Sequence, residues 1–345
     1  MIVPYIQNNK LDFDDIKKIL QTSSELNYFT NNGPAKSVLE KELCAILRLS
    51  KNKRILCVSS GTSAIHLLLL FYKTIGKSNF LVPSFNFPSV ACNTTFCNIN
   101  ICDIDKNYTI PIEIIKNSHF YDGFVIPSLF GTLPKNLLKI IDICKIKKKI
   151  LILDNCSSPL SELNNINICN LGSNCAISFH HTKYFGFGEG GALVCNDKDY
   201  DILCSLSNFG FLGNRNYSKY SSNFKMSDVA ASFILSHIRR YNIKQHIKIQ
   251  NKLLGEIKNI ENVNVLNYSD GVVYGNFPVL FNKNINSEFF LKLGIECNKY
   301  YQPLRLKDKN SMDLYSKIIN FPLNASMNDL QVEFIIKQIY SANRG

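Results

Sequence analysis

Residues 175–196 read C-A-I-S-F-H-H-T-K-Y-F-G-F-G-E-G-G-A-L-V-C-N, and the rest of the chain is organised around them. Cys175 to Phe179 is a short apolar run of strand length. A polar turn carrying Lys183 follows, and a run of glycines leads into a second strand. Ser178, His180 and Thr182 gather polar groups where the first strand ends. Gly186, Gly188, Gly190 and Gly191 allow a ligand to approach the backbone closely and allow positive φ. A lysine so placed suits a Schiff base, the covalent role that an ε-amine plays toward pyridoxal phosphate (PLP). A glycine-rich hairpin with a solvated lysine fits the same letters, and this segment alone leaves both readings open.

Working outward, 345 residues suffice for two domains or for one large α/β domain. The 46% hydrophobic content supports a sizeable packed core. No apolar run approaches the roughly 18 residues that span a bilayer. The N-terminus, M-I-V-P-Y-I-Q-N-N-K, has neither a basic n-region nor an apolar h-region. A cytoplasmic protein without membrane contact is the expectation. The 12 cysteines and 6 histidines show no metal-ligand spacing, Cys92 and Cys97 being too far apart for a C-x-x-C pair. Buried free thiols and no metal are expected. The net charge of +12 is dispersed, its densest run being K-I-K-K-K at Lys145 to Lys149. No helix-turn-helix, zinc-finger or RNP pattern accompanies it, so nucleic acid is not the expected partner. Anionic small-molecule substrates fit the same charge.

Taken in order, Asp12 to Leu20 reads as a short surface helix, followed by a turn-rich loop at Asn27 to Pro34. Ala35 to Leu49 has apolar residues at helical spacing. Arg54 to Ser59 is a strand that runs through S-S-G-T-S-A into a helix. There Gly61 permits a tight turn, and Thr62 and Ser63 sit at a helix N-terminus, where phosphate docks. An ordinary Ser/Thr cap explains the same letters. Beyond Asn79 strands and helices alternate, as a parallel or mixed α/β sheet requires. F-N-F-P-S-V-A-C-N-T-T-F is expected to enter a helix, and Leu133 to Cys144 to form another. Ile150 to Asp154 is a buried strand ending in a carboxylate, placed for a ligand in the sheet's crevice or for a helix cap. Ser227 to Lys244 is expected to be one long helix. The texture changes near Tyr241, dividing the chain into a large domain, 1–240, and a small C-terminal α+β domain, 241–345.

In register, the motifs T-N-N-G-P, S-S-G-T-S-A, V-P-S-F-N-F, L-D-N-C-S-S, S-F-H-H-T-K…G-E-G-G, N-F-G, S-N-F-K-M-S-D and Y-Y-Q-P-L resemble the DegT/DnrJ/EryC1/StrS family of sugar aminotransferases. The resemblance covers nearly the whole chain. It implies a fold-type I PLP transferase, with a large, mostly parallel seven-stranded mixed sheet and a smaller C-terminal domain. It also implies that Lys183 carries the cofactor and moves the proton, and that Asp154 pairs with the ring nitrogen. Phe87 would stack on the ring, while Gly61, Thr62, Ser63, Ser178 and His180 would surround the phosphate. Asn223 would reach that phosphate from a neighbouring subunit, making the active unit a homodimer with shared sites.

Ser157 stands where the family carries Gln or His, leaving the contact with the cofactor's 3-hydroxyl shortened or water-mediated. Arg305 follows Y-Y-Q-P-L where a histidine is more usual, and the small domain reads as trimmed. The implied reaction moves an amino group from L-glutamate to a nucleotide-linked keto-deoxysugar, with Asn31, Arg215, Lys219 and Tyr301 as candidate substrate contacts. S-F-H-H-T-K leans toward the C4 keto group of a 4-keto-6-deoxyhexose, giving a sugar of the viosamine or perosamine type. The alternatives are a C3 aminotransferase, a sugar dehydratase (whose relatives replace the lysine with histidine), and a non-catalytic binder of PLP or sugar nucleotide.

Overall fold

The computed structural model describes residues 1–92, 96–211, 216–267 and 269–344. Short apolar runs between Lys53 and Asn196 form one sheet of seven strands: β1 (Lys53–Val58), β2 (Asn79–Pro83), β3 (Asn98–Cys102), β4 (Gly123–Pro127), β5 (Ile150–Asp154), β6 (Asn174–Ser178) and β7 (Gly191–Asn196). Their spatial order is β1-β7-β6-β5-β4-β2-β3. Only β7 runs against the others, paired antiparallel to β1 and β6. The remaining pairs are parallel. Six strands therefore present their carboxyl ends along one edge, where open α/β sheets bind ligands.

Both faces are covered, so the strands read as nearly continuous apolar runs rather than as alternating ones. Helices α1 (Phe13–Glu25) and α2 (Pro34–Ile46) belong to one face, and α3 (Gly61–Thr74) to the other. Alternate residues divide accordingly: Ile55, Phe124, Leu153 and Ile177 pack with α2, whereas Leu56, Val125, Ile152 and Ala176 pack with α3. The short α4 (Ile112–Asn117) precedes β4, and α5 (Leu137–Ile146) leads into β5. After the sheet come α6 (Tyr200–Leu206), α7 (Asp228–Arg240) and α8 (Ile243–Ile257). A small antiparallel sheet of β8 (Val263–Val265), β9 (Phe277–Phe281) and β10 (Ile318–Phe321) then organises the C-terminal part.

Three expectations change. The helix expected over Ser227–Lys244 breaks after Arg240, because Tyr241 is extended (φ −68°, ψ 120°). Its ring packs on Tyr184 and its hydroxyl pairs with His246 Nδ1 at 2.8 Å, contacts that an unbroken helix would not make. The segment after Phe87 forms only one 3₁₀ turn, Pro88–Val90, among its described residues. Of Gly186, Gly188, Gly190 and Gly191, only Gly188 has positive φ (66°). Gly186 and Gly191 are instead demanded by crowding. A Cβ on the first would strike the His180 carbonyl, and one on the second would strike the Ser60 backbone. They serve the fit of chain against chain rather than of chain against ligand.

Candidate active site

A cavity of about 420 Å³ opens at the carboxyl edge of the large sheet. Five strand ends contribute to it: Gly61 and Thr62 after β1, Asn86 and Phe87 after β2, Ser128 after β4, Asp154 at the end of β5, Ser178 and Lys183 at and after the end of β6. Tyr300 and Tyr301 close it from the C-terminal part.

At the β1 end, Ser60 caps α3 by accepting from the Ser63 N–H at 3.0 Å. The capping residue Ser60 and Thr62 both line the cavity, whereas Ser63 does not. The Ser63 hydroxyl pairs with those of Ser59 (2.8 Å) and Ser60 (3.0 Å). Gly61 is fixed by close approach: a Cβ there would lie 2.9 Å from Ser178 Cβ and 2.9 Å from Cys156 Sγ. The helix N-terminus is thereby held against the ends of β5 and β6, with its positive dipole end turned to the cavity.

Lys183 sits in a compact loop tied by His181 N–H to the Gly188 carbonyl (2.9 Å) and by Gly186 N–H to the Lys183 carbonyl (2.8 Å). Burial pushes its ammonium below the usual lysine value, with Cys156, Asp154 and Tyr300 opposing that shift. Asp154 is 5% exposed, and burial pushes its carboxyl up, opposed by its hydrogen bonds with Cys156 and by Lys183. One oxygen accepts from the Cys156 N–H at 3.2 Å. Among the described residues no ion pair joins Asp154 to Lys183, although both line the same cavity.

The other candidates separate into three groups. Phe87, Ser157, Ser178, His180 and Tyr301 line the cavity with Gly61 and Thr62. Phe87 is 52% exposed, its ring standing edge-on to Tyr301. His180 pairs through Nδ1 with Thr182 Oγ1 at 2.9 Å and faces Glu189 at 3.5 Å. The Ser157 hydroxyl engages the Tyr301 phenol, whose pKa burial raises and this contact lowers. Asn31, Lys219 and Asn223 are exposed and lie outside this chain's cavity. Arg215 lies outside the described residues. Arg305 is paired with Asp308 at 2.9 Å.

Asn86, Cys156 and Tyr5 line the cavity without having been singled out from the sequence. Cys156 was legible as the residue two past Asp154. Asn86 and Tyr5 carried no signal beyond lying in P-S-F-N-F and in the N-terminal arm.

The donor set fits PLP on its own terms. The site has a helix N-terminus with hydroxyls for a phosphate, an unpaired buried carboxylate for a ring nitrogen, an amine for a carbonyl and an aromatic ring for a π-face. Residues 10–340 match the model of the DegT/DnrJ/EryC1/StrS aminotransferase family.

The chain belongs to this family. The DegT/DnrJ/EryC1/StrS aminotransferases are PLP-dependent, and the fold here is theirs. The dTDP-4-amino-4,6-dideoxy-D-glucose transaminase of Shigella dysenteriae is 25% identical, over 90% of this chain and 91% of its own. The GDP-perosamine synthase of Caulobacter vibrioides is 22% identical, over 59% of this chain and 56% of its own. A sugar-aminotransferase-type protein of Streptococcus pneumoniae, solved in a PLP form, superposes with a TM-score of 0.85 at 16% identity, covering 100% of this chain and 99% of that one. Among the described residues no His/Cys/Asp/Glu group is placed to hold a metal, and all 12 cysteines are free. Nor is any described helix long and apolar enough to cross a membrane.

Proposed function

We propose that this protein binds PLP through Lys183 and transfers an amino group from glutamate to the C4 keto group of a nucleotide-linked 4-keto-6-deoxyhexose. The observation that carries the reading is Lys183 and Asp154 together in one cavity, Asp154 buried, Lys183 half-buried, and neither paired with the other. When bound, PLP supplies an electron sink for the carbon that bears the amino group. The protein's part is to hold and to exclude. Asp154 holds a proton on the ring nitrogen, a role that draws its own carboxyl back toward the charged form. Lys183, whose ammonium burial weakens, gives up and takes back a proton at Nζ more readily than an exposed lysine does. Gly61, Thr62 and Ser178 bind the phosphate, and Phe87 and Tyr301 cover the site against water.

The sugar and its position are supported by the two relatives, whose names specify 4-amino-4,6-dideoxyglucose and perosamine. A nucleoside diphosphate is anionic, which suits a chain of net charge +12. The test is to incubate the protein with PLP, glutamate and a panel of 3-keto- and 4-keto-6-deoxyhexose nucleotides, and to locate the proton geminal to nitrogen in the product by NMR. Amination at C3 refutes the C4 assignment, and no product with any keto-sugar refutes the activity.

The active unit is a homodimer in this reading. Its support is Asn223, exposed and outside its own chain's cavity, within the S-N-F-K-M-S-D motif. Mixing Lys183→Ala with an impaired Asn223→Ala protein restores part of the activity, because one site of each hybrid carries neither lesion. No recovery despite demonstrated subunit exchange refutes shared sites.

A further inference from the structure

Asn86 is 1% exposed and lines the active-site cavity. Its Oδ1 accepts the Phe87 N–H at 2.8 Å, which settles the orientation of the amide: oxygen toward the backbone, nitrogen away from it. The Nδ2 of this cavity-lining residue is buried and has no hydrogen-bond partner among the described residues. A buried donor left without a partner destabilises a fold, and such groups are rare unless a water, ion or ligand completes them.

The order of the sheet says which part of a ligand Nδ2 meets. Gly61, Thr62 and Ser178 come from β1 and β6, on one side of Asp154 at the end of β5. Asn86 comes from the end of β2, across β4 on the other side. In the PLP ring, the carbon with the phosphate arm and the carbon with the hydroxyl lie on opposite sides of the axis through the ring nitrogen. With the nitrogen at Asp154 and the phosphate at Gly61 and Ser178, the hydroxyl-bearing edge faces β4 and β2. The other substituent of that edge is a methyl group, which offers an N–H nothing. The Ser157 hydroxyl is engaged with Tyr301.

We propose that Asn86 binds the 3-oxygen of the PLP ring, its Nδ2 donating the hydrogen bond. The assignment rests on the PLP reading above. A donor here favours the ionised 3-oxygen, adds affinity for the cofactor, and holds the ring edge beside Phe87.

The test compares dissociation constants of PLP and 3-deoxypyridoxal 5′-phosphate, followed by absorbance and fluorescence, for the wild type, Asn86→Ala and Asn86→Asp. Asn86→Ala weakens PLP by about tenfold or more, yet changes the 3-deoxy compound by less than about twofold. Asn86→Asp keeps the oxygen that accepts from Phe87 and replaces the donor by a second acceptor. It weakens PLP further, moves the pH at which the bound chromophore's absorbance titrates, and still spares the 3-deoxy compound. Equal weakening of both compounds overturns the assignment, since the side chain would then only support the Phe87 loop. So does PLP affinity within twofold of wild type in both variants, or a preference for the 3-oxygen that disappears in Ser157→Ala instead. Wild-type protein that binds neither compound overturns the PLP reading itself. Wild-type protein that binds PLP with no coupling to Asn86 overturns this assignment alone.

Discussion

Two clusters of buried charge in this molecule are built on opposite plans. Between α2 and α7, Asp228 is fully buried and accepts from Ser23 Oγ (2.5 Å), the Ala35 N–H (3.0 Å) and the Lys36 N–H (3.1 Å). It supplies α2 with the cap that Gly33 at its N-terminus lacks. Beside it, Lys36 Nζ meets Glu40 Oε1 at 2.5 Å and Asn32 Oδ1 at 2.9 Å, and Glu40 also accepts the Cys57 N–H at 2.7 Å. In the cavity, by contrast, Asp154 accepts one backbone hydrogen bond, Lys183 pairs with no carboxylate among the described residues, and Asn86 Nδ2 has no partner among them. Burial is comparable, but satisfaction is not. A closed network serves the fold, whereas an open one at a sheet's carboxyl edge is shaped for something that arrives later.

The largest effect that tests this contrast is at Lys183. Lys183→Ala should lower transamination by at least about a thousandfold, and borohydride should no longer fix the cofactor to the 175–196 peptide. Label on another lysine in the wild type would break the assignment. Next comes Asp154→Asn, for which turnover should fall by about a hundredfold or more as the ring nitrogen loses its charge partner. Its cofactor-free stability should stay within about 1 kcal/mol of wild type, since an underpaired buried carboxylate contributes little to the fold. Asp228→Ala should do the reverse. Urea unfolding should show a loss of about 3 kcal/mol or more, because three donors are left buried without an acceptor. Equal stability losses at the two aspartates would erase the distinction.

A pH series sharpens it. Burial holds the Asp154 carboxyl above its ordinary 3.8. A folded-state pKa above the unfolded one contributes stability that is fully present below about pH 3.8 and is lost as the pH rises through the raised value. Asp154→Asn has no such slope. Measured without cofactor, the variant should therefore gain on the wild type as the pH rises through that window. A constant difference would place the carboxyl at its ordinary value. The smallest contrast lies within one helix turn. Thr62→Ala should weaken PLP several-fold (about 1 kcal/mol), while Ser63→Ala, whose hydroxyl bonds only within the cap, should change it less than about twofold.

That Lys183, Asp154, Gly61 and Thr62 share one edge of the sheet was legible because their neighbours are local. Each lies within a few residues of a strand end, and the strand-then-polar pattern marks that edge. Asn86 was not legible. Its role depends on a bond to the next residue's N–H and on the cavity formed by strands far away in the chain. The engagement of Ser157 by Tyr301 was hidden for the same reason, since it joins two parts of the chain that no spacing relates. The break after Arg240 was missed because no glycine or proline marks it, and the apolar periodicity continues into α8. There tertiary packing of Tyr241 on Tyr184 overrides local propensity. Asn31, Lys219 and Asn223 matched motifs, but a motif does not say which chain's cavity a loop faces.

The placement of β7 bears on how the chain matures at the ribosome. β1 emerges early, yet its sole neighbour in the sheet is β7, the last strand to be made. Until Gly191 to Asn196 appear, β1 is a detached ribbon with an unpaired edge, and the Gly61 turn has nothing to hold it against Ser178. Such distant pairing slows folding and prolongs the exposure of sticky surface. The Gly61 end of the site therefore assembles only after β7 is made, and Tyr300 and Tyr301 close the cavity later still. A chain ending just short of β7 would contain Lys183 and Asp154 but leave β1 without its partner strand in the sheet.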